Sequence, residues 1–178
     1  GRDLVRDDHR KGLVLPLPRP AEPSDVEGIF QLICGLADYE RAADQVTSTQ
    51  ADIFELLFGT SATPSGAPAT YAFVIDADDS NEHGHALAGF ALWSVRPSTW
   101  TGRYGIYLED LFVEPEFRGR GFGTALFERL ITECKTRGYP RFEWSVLDWN
   151  EPAQKFYESF HAKPLPEWVL WRRTFDVS

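Results

Sequence analysis

The stretch Arg118-Gly119-Arg120-Gly121-Phe122-Gly123-Thr124 lies between an apolar, strand-like segment over residues 105–113 and an amphipathic helical segment that stops at Gly138. Glycines let the backbone approach a ligand closely and adopt a positive φ. The uncapped N–H groups at the start of the following helix, together with the helix dipole, favour an anion. The spacing therefore predicts a strand, a phosphate-binding turn and a helix in that order, with a pyrophosphate as the expected ligand.

Two better-known phosphate motifs fit this turn poorly. No Gly-Lys-Ser/Thr follows the glycines, as a P-loop requires. The strand before the turn follows a strand meander, whereas a dinucleotide-binding fold would open with its glycine fingerprint. Taken alone, the turn is also compatible with a flexible connector that carries solvated arginines.

Helical signals precede the strand meander. The string Ser24-Asp25-Val26-Glu27 has the form of a capping box and is followed by apolar residues at helical spacing, which predicts a helix over residues 25–37. A second helix is predicted after Thr49, and Gly59 is expected to end it in the left-handed conformation.

The remaining pattern predicts a sheet. Two prolines, Pro16 and Pro18, place the first extended segment at a sheet edge, and the polar run over residues 76–85 predicts a hairpin turn. The predicted strands are residues 13–19, 71–76, 86–94, 105–113, 141–146 and 168–175, with a short helix over residues 152–159. A meander followed by strand-helix-strand predicts an α/β fold with a mixed, mostly antiparallel central sheet and flanking helices.

Length and composition limit the class of protein. The 178 residues suit one domain, predicted over residues 13–178, after a flexible tail over residues 1–12. The 43% of hydrophobic residues is typical of a packed globular protein. No apolar run approaches the roughly 18 residues that span a bilayer, and no secretory signal is visible, so we expect a soluble, cytoplasmic protein with no membrane partner.

Charge and cysteine content narrow the partners. Eighteen Lys and Arg against 27 Asp and Glu leave a net charge of −9, which argues against a nucleic-acid partner and suits a small cationic substrate. The two cysteines, Cys34 and Cys134, are too few for a disulfide framework and occupy apolar-periodic positions, so small buried thiols are expected.

Other side chains that could bind a metal ion or a cation give weaker evidence of a site. His83 and His85 flank a glycine in an acidic turn, but no third ligand follows at a useful spacing, so solvated histidines and no metal site are predicted. Most of the six tryptophans are expected in the core. Trp100 and Trp168 are the two predicted to face a cation instead.

Three ordered motifs point to a family. The strings Tyr107-Leu108-Glu109-Asp110-Leu111-Phe112-Val113, then the glycine stretch, then Asp148-Trp149-Asn150-Glu151-Pro152-Ala153-Gln154-Lys155-Phe156-Tyr157 resemble those of the GNAT N-acetyltransferases. Within that superfamily the sequence is most similar to the diamine acetyltransferases, which acetylate spermidine, spermine or thialysine. The resemblance runs from about residue 19 through residue 168. It implies the GNAT fold, acetyl-CoA as co-substrate and a homodimer whose acceptor site can borrow residues from the partner.

The resemblance assigns a cofactor site residue by residue. Backbone amides of the glycine turn would bind the pyrophosphate, the preceding strand would bind the pantetheine arm, and a late segment would add further contacts. The residues so assigned are Leu111, Phe112, Val113, Arg118, Gly119, Arg120, Gly121, Phe122, Gly123, Thr124, Asn150, Pro152 and Ala153.

The resemblance also implies two catalytic residues. Tyr157 matches the tyrosine that protonates the departing thiolate, and Glu109 matches the carboxylate that accepts the amine proton through water. An alkylamine with a pKa of about 10 must lose a proton before it attacks a thioester. The chemistry itself therefore requires a group that accepts the amine proton. Without the motifs, Glu109 would be an ordinary solvated strand glutamate and Tyr157 an aromatic residue that bridges core and solvent.

The tetrahedral oxyanion needs a donor as well, and an irregularity in the strand over residues 108–113 is expected to supply it. Carboxylates and aromatic rings are predicted to hold the cationic amine. The resemblance implies Tyr39 and Glu40 as a pair that lines the amine site. The other residues predicted for this site are Glu109, Asp110, Trp100 and Trp168.

Two departures from the family bear on the substrate. The polyamine enzymes carry an acid just before the tryptophan that matches Trp100, where this chain has Ser98-Thr99. One ammonium anchor is therefore missing, which favours a diamine or a lysine-like side-chain amine over a long polyamine. His161 stands where the family has glycine and is expected to adopt left-handed geometry. The alternative function is a catalytically silent acyl-CoA sensor, which the presence of both Glu109 and Tyr157 disfavours.

Overall fold

The computed structural model describes residues 17–60, 63–77 and 86–176. The chain divides into two compact units, residues 1–144 and 145–178. The strands of the first unit are β1 (Arg19–Pro20), β2 (Thr70–Asp76), β3 (Leu87–Ser98), β4 (Arg103–Val113) and β5 (Phe142–Trp144). Its helices are α1 (Val26–Tyr39), α2 (Gln50–Phe58) and α3 (Phe122–Arg137), and the second unit contains α4 (Glu151–Glu158).

The five strands form one sheet in the order β1-β2-β3-β4-β5. The first three pairs are antiparallel, and β4 pairs with β5 in parallel. The parallel pair follows from topology, because α3 carries the chain back across the sheet between the two strands. The predicted mixed, mostly antiparallel sheet with flanking helices is confirmed. Of the predicted edge strand over residues 13–19, only Arg19 lies in β1, which is at the sheet edge; residues 17–18 are irregular, and residues 13–16 lie outside the described ranges.

Helices cover both faces of the sheet. On one face, α1 and α2 pack on alternate residues of β2 and β3; the buried cluster comprises Val26, Ile29, Leu32, Ile53, Leu57, Ala72, Val74, Leu87, Phe90, Leu92 and Phe112. On the other face, Phe127 of α3 packs on the rings of Phe142 and Trp144 at centroid distances of 4.8 and 5.2 Å. Cys134 of α3 is buried as expected, and burial raises the pKa of its thiol to about 11.

The start of α1 corrects one sequence prediction. Ser24 does not form the capping box, and no side chain caps α1 itself. The box belongs to a 3₁₀ turn over Pro23–Asp25 just before α1, where Asp25 accepts a 2.7 Å hydrogen bond from the Glu22 N–H and pairs with Arg19 at 2.8 Å. A carboxylate that is itself held by a guanidinium is a stronger acceptor than a serine hydroxyl. The Arg19 side chain also donates to Asp76 at 2.7 Å, so this cap depends on an ion pair with β2 that lies far away in sequence.

Two other predicted features are wrong. Gly59 follows α2 with φ −71° and is extended, not left-handed, and its N–H donates to the Glu55 carbonyl. The segment over residues 168–175 is irregular in the structure although its pattern is that of a strand. Its side chains are strongly exposed, with Trp171 at 90%, so Trp171 is not the core residue that was expected. A strand exists only where a neighbouring strand completes its hydrogen bonds.

Several local predictions hold. Thr49 caps α2 by accepting a hydrogen bond from the Asp52 N–H at 3.3 Å. Gly138 ends α3 with φ +67°, and His161 adopts the left-handed conformation with φ +63°. The hairpin turn that contains His83 and His85 lies outside the described residues.

Two features are absent from the described ranges. No helix there is long and apolar enough to cross a membrane. Nor do those ranges hold a group of three or more His, Cys, Asp or Glu side chains placed to bind a metal ion.

Candidate active site

A β-bulge interrupts β4 at Glu109. Leu92 of β3 lies opposite Asp110, whereas the next residue, Trp93, lies opposite Leu108, so Glu109 is an extra residue in β4. Neighbouring residues of a regular strand point to opposite faces, and an extra residue shifts that alternation. Asp110 thus shares the face of its partner Leu92, which is the face that α1 covers. The irregularity expected in this strand is present.

Three carboxylates interact beside the bulge, and we call Glu40, Glu109 and Asp110 the acidic cluster. Asp110 is half-buried, and burial raises its pKa to about 6, with further contributions from the charges of Glu109 and Glu40. Burial also raises the pKa of Glu40, which follows the last residue of α1. Three like charges brought this close attract a cation, and one of them can exchange a proton near neutral pH.

The pairing of β4 with β5 stops where the bulge begins. The parallel register runs from Ile106 with Phe142 to Leu108 with Trp144. Past Leu108, no strand of the described first unit pairs with that side of β4, although its other side stays paired with β3 as far as Val113. A free strand edge offers backbone N–H and C=O groups to an extended ligand. This is the segment, residues 111–113, that the motifs assign to the pantetheine arm.

The glycine turn has the predicted backbone. Gly119 and Gly121 adopt φ values of +73° and +84°, and Gly121 is the N-cap of α3. No side chain caps this helix start, and no acidic residue occupies its first turn. A Cβ built on Gly119 meets nothing within 4 Å, so the turn is open on that side. Buried Phe122 anchors the helix below it. These features fit an anion bound by the backbone of residues 119–124.

The two arginines of the turn stack on aromatic rings. The Nε of Arg118 donates to the Val113 carbonyl at 2.9 Å. Its guanidinium carbon lies 5.1 Å from the ring centroid of Tyr39 and 5.2 Å from that of Phe112. Arg120 lies in the same way over Phe117 at 5.3 Å. Sequence analysis missed the contact with Tyr39, because it joins a loop to the end of a helix about 80 residues earlier.

Trp100 lies apart from the acidic cluster. It is 80% exposed in the hairpin turn between β3 and β4. Glu109 comes six residues after Arg103, the first residue of β4, which at about 3.3 Å per residue is roughly 20 Å along the strand. Within one chain, an acceptor that touched both Trp100 and the cluster would have to span about that distance.

The second unit holds the remaining predicted residues. Asn150 is buried, and its side chain caps α4 by accepting a hydrogen bond from the Ala153 N–H at 3.2 Å, with Pro152 in the first turn. Tyr157 is half-buried on α4, and its ring lies 5.3 Å from that of Phe156. Trp168 is 66% exposed. Asn150 therefore has a structural role in the helix start, whatever else it contacts.

Comparisons with known proteins agree with one another. The family model described as "Acetyltransferase (GNAT) family" matches residues 37–162. A thialysine N-epsilon-acetyltransferase from Sus scrofa is 32% identical over 157 residues, covering 87% of this chain and 88% of the relative. The L-ornithine N5-acetyltransferase NATA1 from Arabidopsis thaliana is 28% identical over 192 residues, covering 89% and 84%.

A solved structure shows the same fold. The ribosomal-protein-alanine N-acetyltransferase from Brucella melitensis biovar Abortus 2308 superposes with a TM-score of 0.65 at 18% identity, covering 89% of this chain and 97% of that chain.

Proposed function

The chain belongs to the acetyltransferase (GNAT) family, and from that premise we propose that it transfers the acetyl group of acetyl-CoA to a primary amine of a small cationic acceptor. The acceptor class is a diamine, a polyamine or a thialysine- or lysine-like amine. The observation that carries the proposal is the acidic cluster, which lies at the β4 bulge where the free edge of the strand begins.

The features of the first unit suit a long anionic thioester. The open glycine turn would bind the pyrophosphate through backbone N–H groups, and the free edge of β4 would hold the pantetheine arm in an extended conformation. On this proposal the thioester carbonyl comes to the bulge, where backbone N–H groups that have left the regular ladder are available to the oxyanion. Asn150, Pro152 and Ala153 are proposed to add contacts from the second unit.

The acidic cluster would bind the ammonium form of the acceptor and then accept its proton. We retain Glu109 as the proton acceptor, acting through water, with Glu40 and Asp110 holding the cation. The neutral amine attacks the thioester carbonyl, a C–N bond forms and the C–S bond breaks. The thiolate takes a proton from Tyr157, and the proton that Glu109 accepted returns through solvent to the Tyr157 phenolate, so both residues are restored. The second amine proton leaves to solvent, so the ammonium form of the acceptor and acetyl-CoA yield amide, coenzyme A and one proton.

Two observations favour a short acceptor. The relatives named above act, by their names, on thialysine and L-ornithine, both of which present an amine on a short side chain. Ser98-Thr99 leaves no acid before Trp100 to anchor a distant second ammonium. We therefore expect diamines and ornithine- or lysine-like amines to be acetylated at least as well as spermine.

We also propose a homodimer. Val169, Leu170 and Trp171 are 74%, 76% and 90% exposed, and consecutive apolar residues this exposed are typical of a surface that another chain covers. Sedimentation at the assay concentration should show a dimer that Leu170→Lys dissociates, and a monomeric wild-type protein would reject this proposal.

The proposed activity is tested by thiol release. Purified protein is given acetyl-CoA and, separately, 1,4-diaminobutane, L-ornithine, L-lysine, thialysine, spermidine and spermine. Release of coenzyme A that depends on one of the short amines, and loss of that release in Asp110→Asn but not in Glu128→Gln on the exposed side of α3, is the expected result. Binding of acetyl-CoA with no release for any amine would instead favour the silent acyl-CoA sensor.

A further inference from the structure

Arg118 connects the glycine turn to the end of α1. Its three contacts are the hydrogen bond to the Val113 carbonyl and the two ring faces, those of Tyr39 and Phe112. Val113 and Phe112 belong to β4, so two contacts hold the guanidinium on the sheet and the third holds Tyr39 onto the guanidinium. Arg118 thus lies between the strand that carries the bulge and the helix that ends beside it.

The end of α1 sets the position of Glu40, one member of the acidic cluster. Tyr39 is the last residue of α1, and Glu40, whose charge acts on Asp110, follows directly. The chain then turns sharply at Arg41, which has φ +58°. Earlier in the helix, a Cβ on Gly35 would lie only 3.0 Å from the Phe112 ring, so α1 approaches β4 closely here. A displacement of Tyr39 therefore moves the carboxylate of Glu40 relative to Asp110.

We propose that Arg118 is a positioning residue for the acceptor amine: by stacking on Tyr39 it sets the distance between Glu40 and the carboxylates of β4. This inference rests on the proposed function and goes beyond the assignment of Arg118 to the cofactor. A planar guanidinium can stack on two rings and donate from Nε at the same time, whereas the ammonium of a lysine cannot. Arg118→Lys therefore keeps the charge and loses both the stacking on the rings and the hydrogen bond from Nε.

A double-mutant cycle tests the proposal. The variants are Arg118→Lys, Tyr39→Leu and the double variant. The control is Tyr104→Leu, which removes an exposed ring near the opposite end of β4. At saturating acetyl-CoA, each single variant should raise the KM for the amine about 3- to 10-fold with kcat within about 2-fold, and the double variant should be no worse than the more impaired single variant. Tyr104→Leu should leave the KM for the amine unchanged.

Other outcomes overturn the inference. If the two KM increases multiply in the double variant, Arg118 and Tyr39 act independently. If Arg118→Lys changes only the affinity for acetyl-CoA, measured by calorimetry, Arg118 serves the cofactor alone. A cycle in urea unfolding that shows coupling without coupling in the amine KM would reduce the contact to a structural one.

The proposed function fails separately. Calorimetric titration of 1,4-diaminobutane into the same four proteins measures amine affinity without turnover. A chain that binds the diamine with coupled losses but never releases coenzyme A would reject the acetyl transfer and retain the positioning role of Arg118. A wild-type chain that binds no amine would reject both.

Discussion

Replacing Asp110 by Asn should stabilise the protein against unfolding and lower its proposed activity. Burial, with smaller contributions from the charges of Glu109 and Glu40, raises the pKa of this carboxyl group from the ordinary 3.8 to about 6. At roughly 1.36 kcal/mol per pH unit, that displacement is worth about 3 kcal/mol. Because the folded pKa of an acid is raised, the folded chain binds more protons than the unfolded chain between these two values. Stability is therefore lost as the pH rises through 6, and the ionised carboxylate destabilises the fold at neutral pH.

Asn keeps the shape of Asp and cannot ionise, so the variant escapes this destabilisation. We expect Asp110→Asn to unfold with a free energy about 2–3 kcal/mol higher than the wild type at about pH 8, and with little difference at about pH 4. Urea unfolding followed by tryptophan fluorescence across that range gives the free energy at each pH. The same variant should lose at least about 10-fold in kcat/KM for a diamine, because groups that serve activity often lower the stability of the folded protein.

The control and the refuting result are both specific. Glu128→Gln removes a carboxylate from the exposed side of α3 and should leave the stability difference near zero at every pH. If Asp110→Asn has the same advantage over the wild type at pH 4 and pH 8, or none at either, then burial and the neighbouring carboxylates do not raise the pKa of Asp110 in the way the structure implies.

Three further predictions concern the other elements of the site and the core. Tyr157→Phe removes only a hydroxyl and should lower kcat roughly 10- to 1000-fold with unchanged acetyl-CoA affinity, and near-normal turnover would make Tyr157 structural. Gly119→Ala should weaken acetyl-CoA binding at least about 10-fold in calorimetry, because its Cβ would stand between the backbone and the phosphate. The matched control is Gly102→Ala, with a similar φ of +63° and equally open space. Equal acetyl-CoA affinities in the two variants would refute the binding of pyrophosphate by the glycine turn. Burial of Cys134 predicts that iodoacetamide at neutral pH modifies half-buried Cys34 first in mass spectrometry, and the reverse order would contradict the packing of α3.

Features encoded by neighbouring residues could be predicted from the sequence. The glycine turn, the stop of α3 at Gly138 and the cap at Thr49 each depend on a few consecutive side chains, and the structure contains all three. Predictions failed where a distant partner competes with the local signal. The capping box forms between Glu22 and Asp25 and not at Ser24, because Arg19, itself paired with Asp76 of β2, holds the Asp25 carboxylate. Residues 168–175 remain irregular because a strand pattern does not supply its own partner.

The sequence by itself determined the order of elements, the family and the residue types of the site, because periodicity and motif spacing are local properties of the chain. Only the tertiary structure decided that Glu109 is the extra residue of a bulge and that Arg118 stacks on Tyr39. Strand register results from all cross-strand pairs together, and a one-residue shift would change which face every side chain occupies. The charges that raise the pKa of Asp110 come together for the same reason, since Glu40 reaches β4 only after α1 has packed on the sheet.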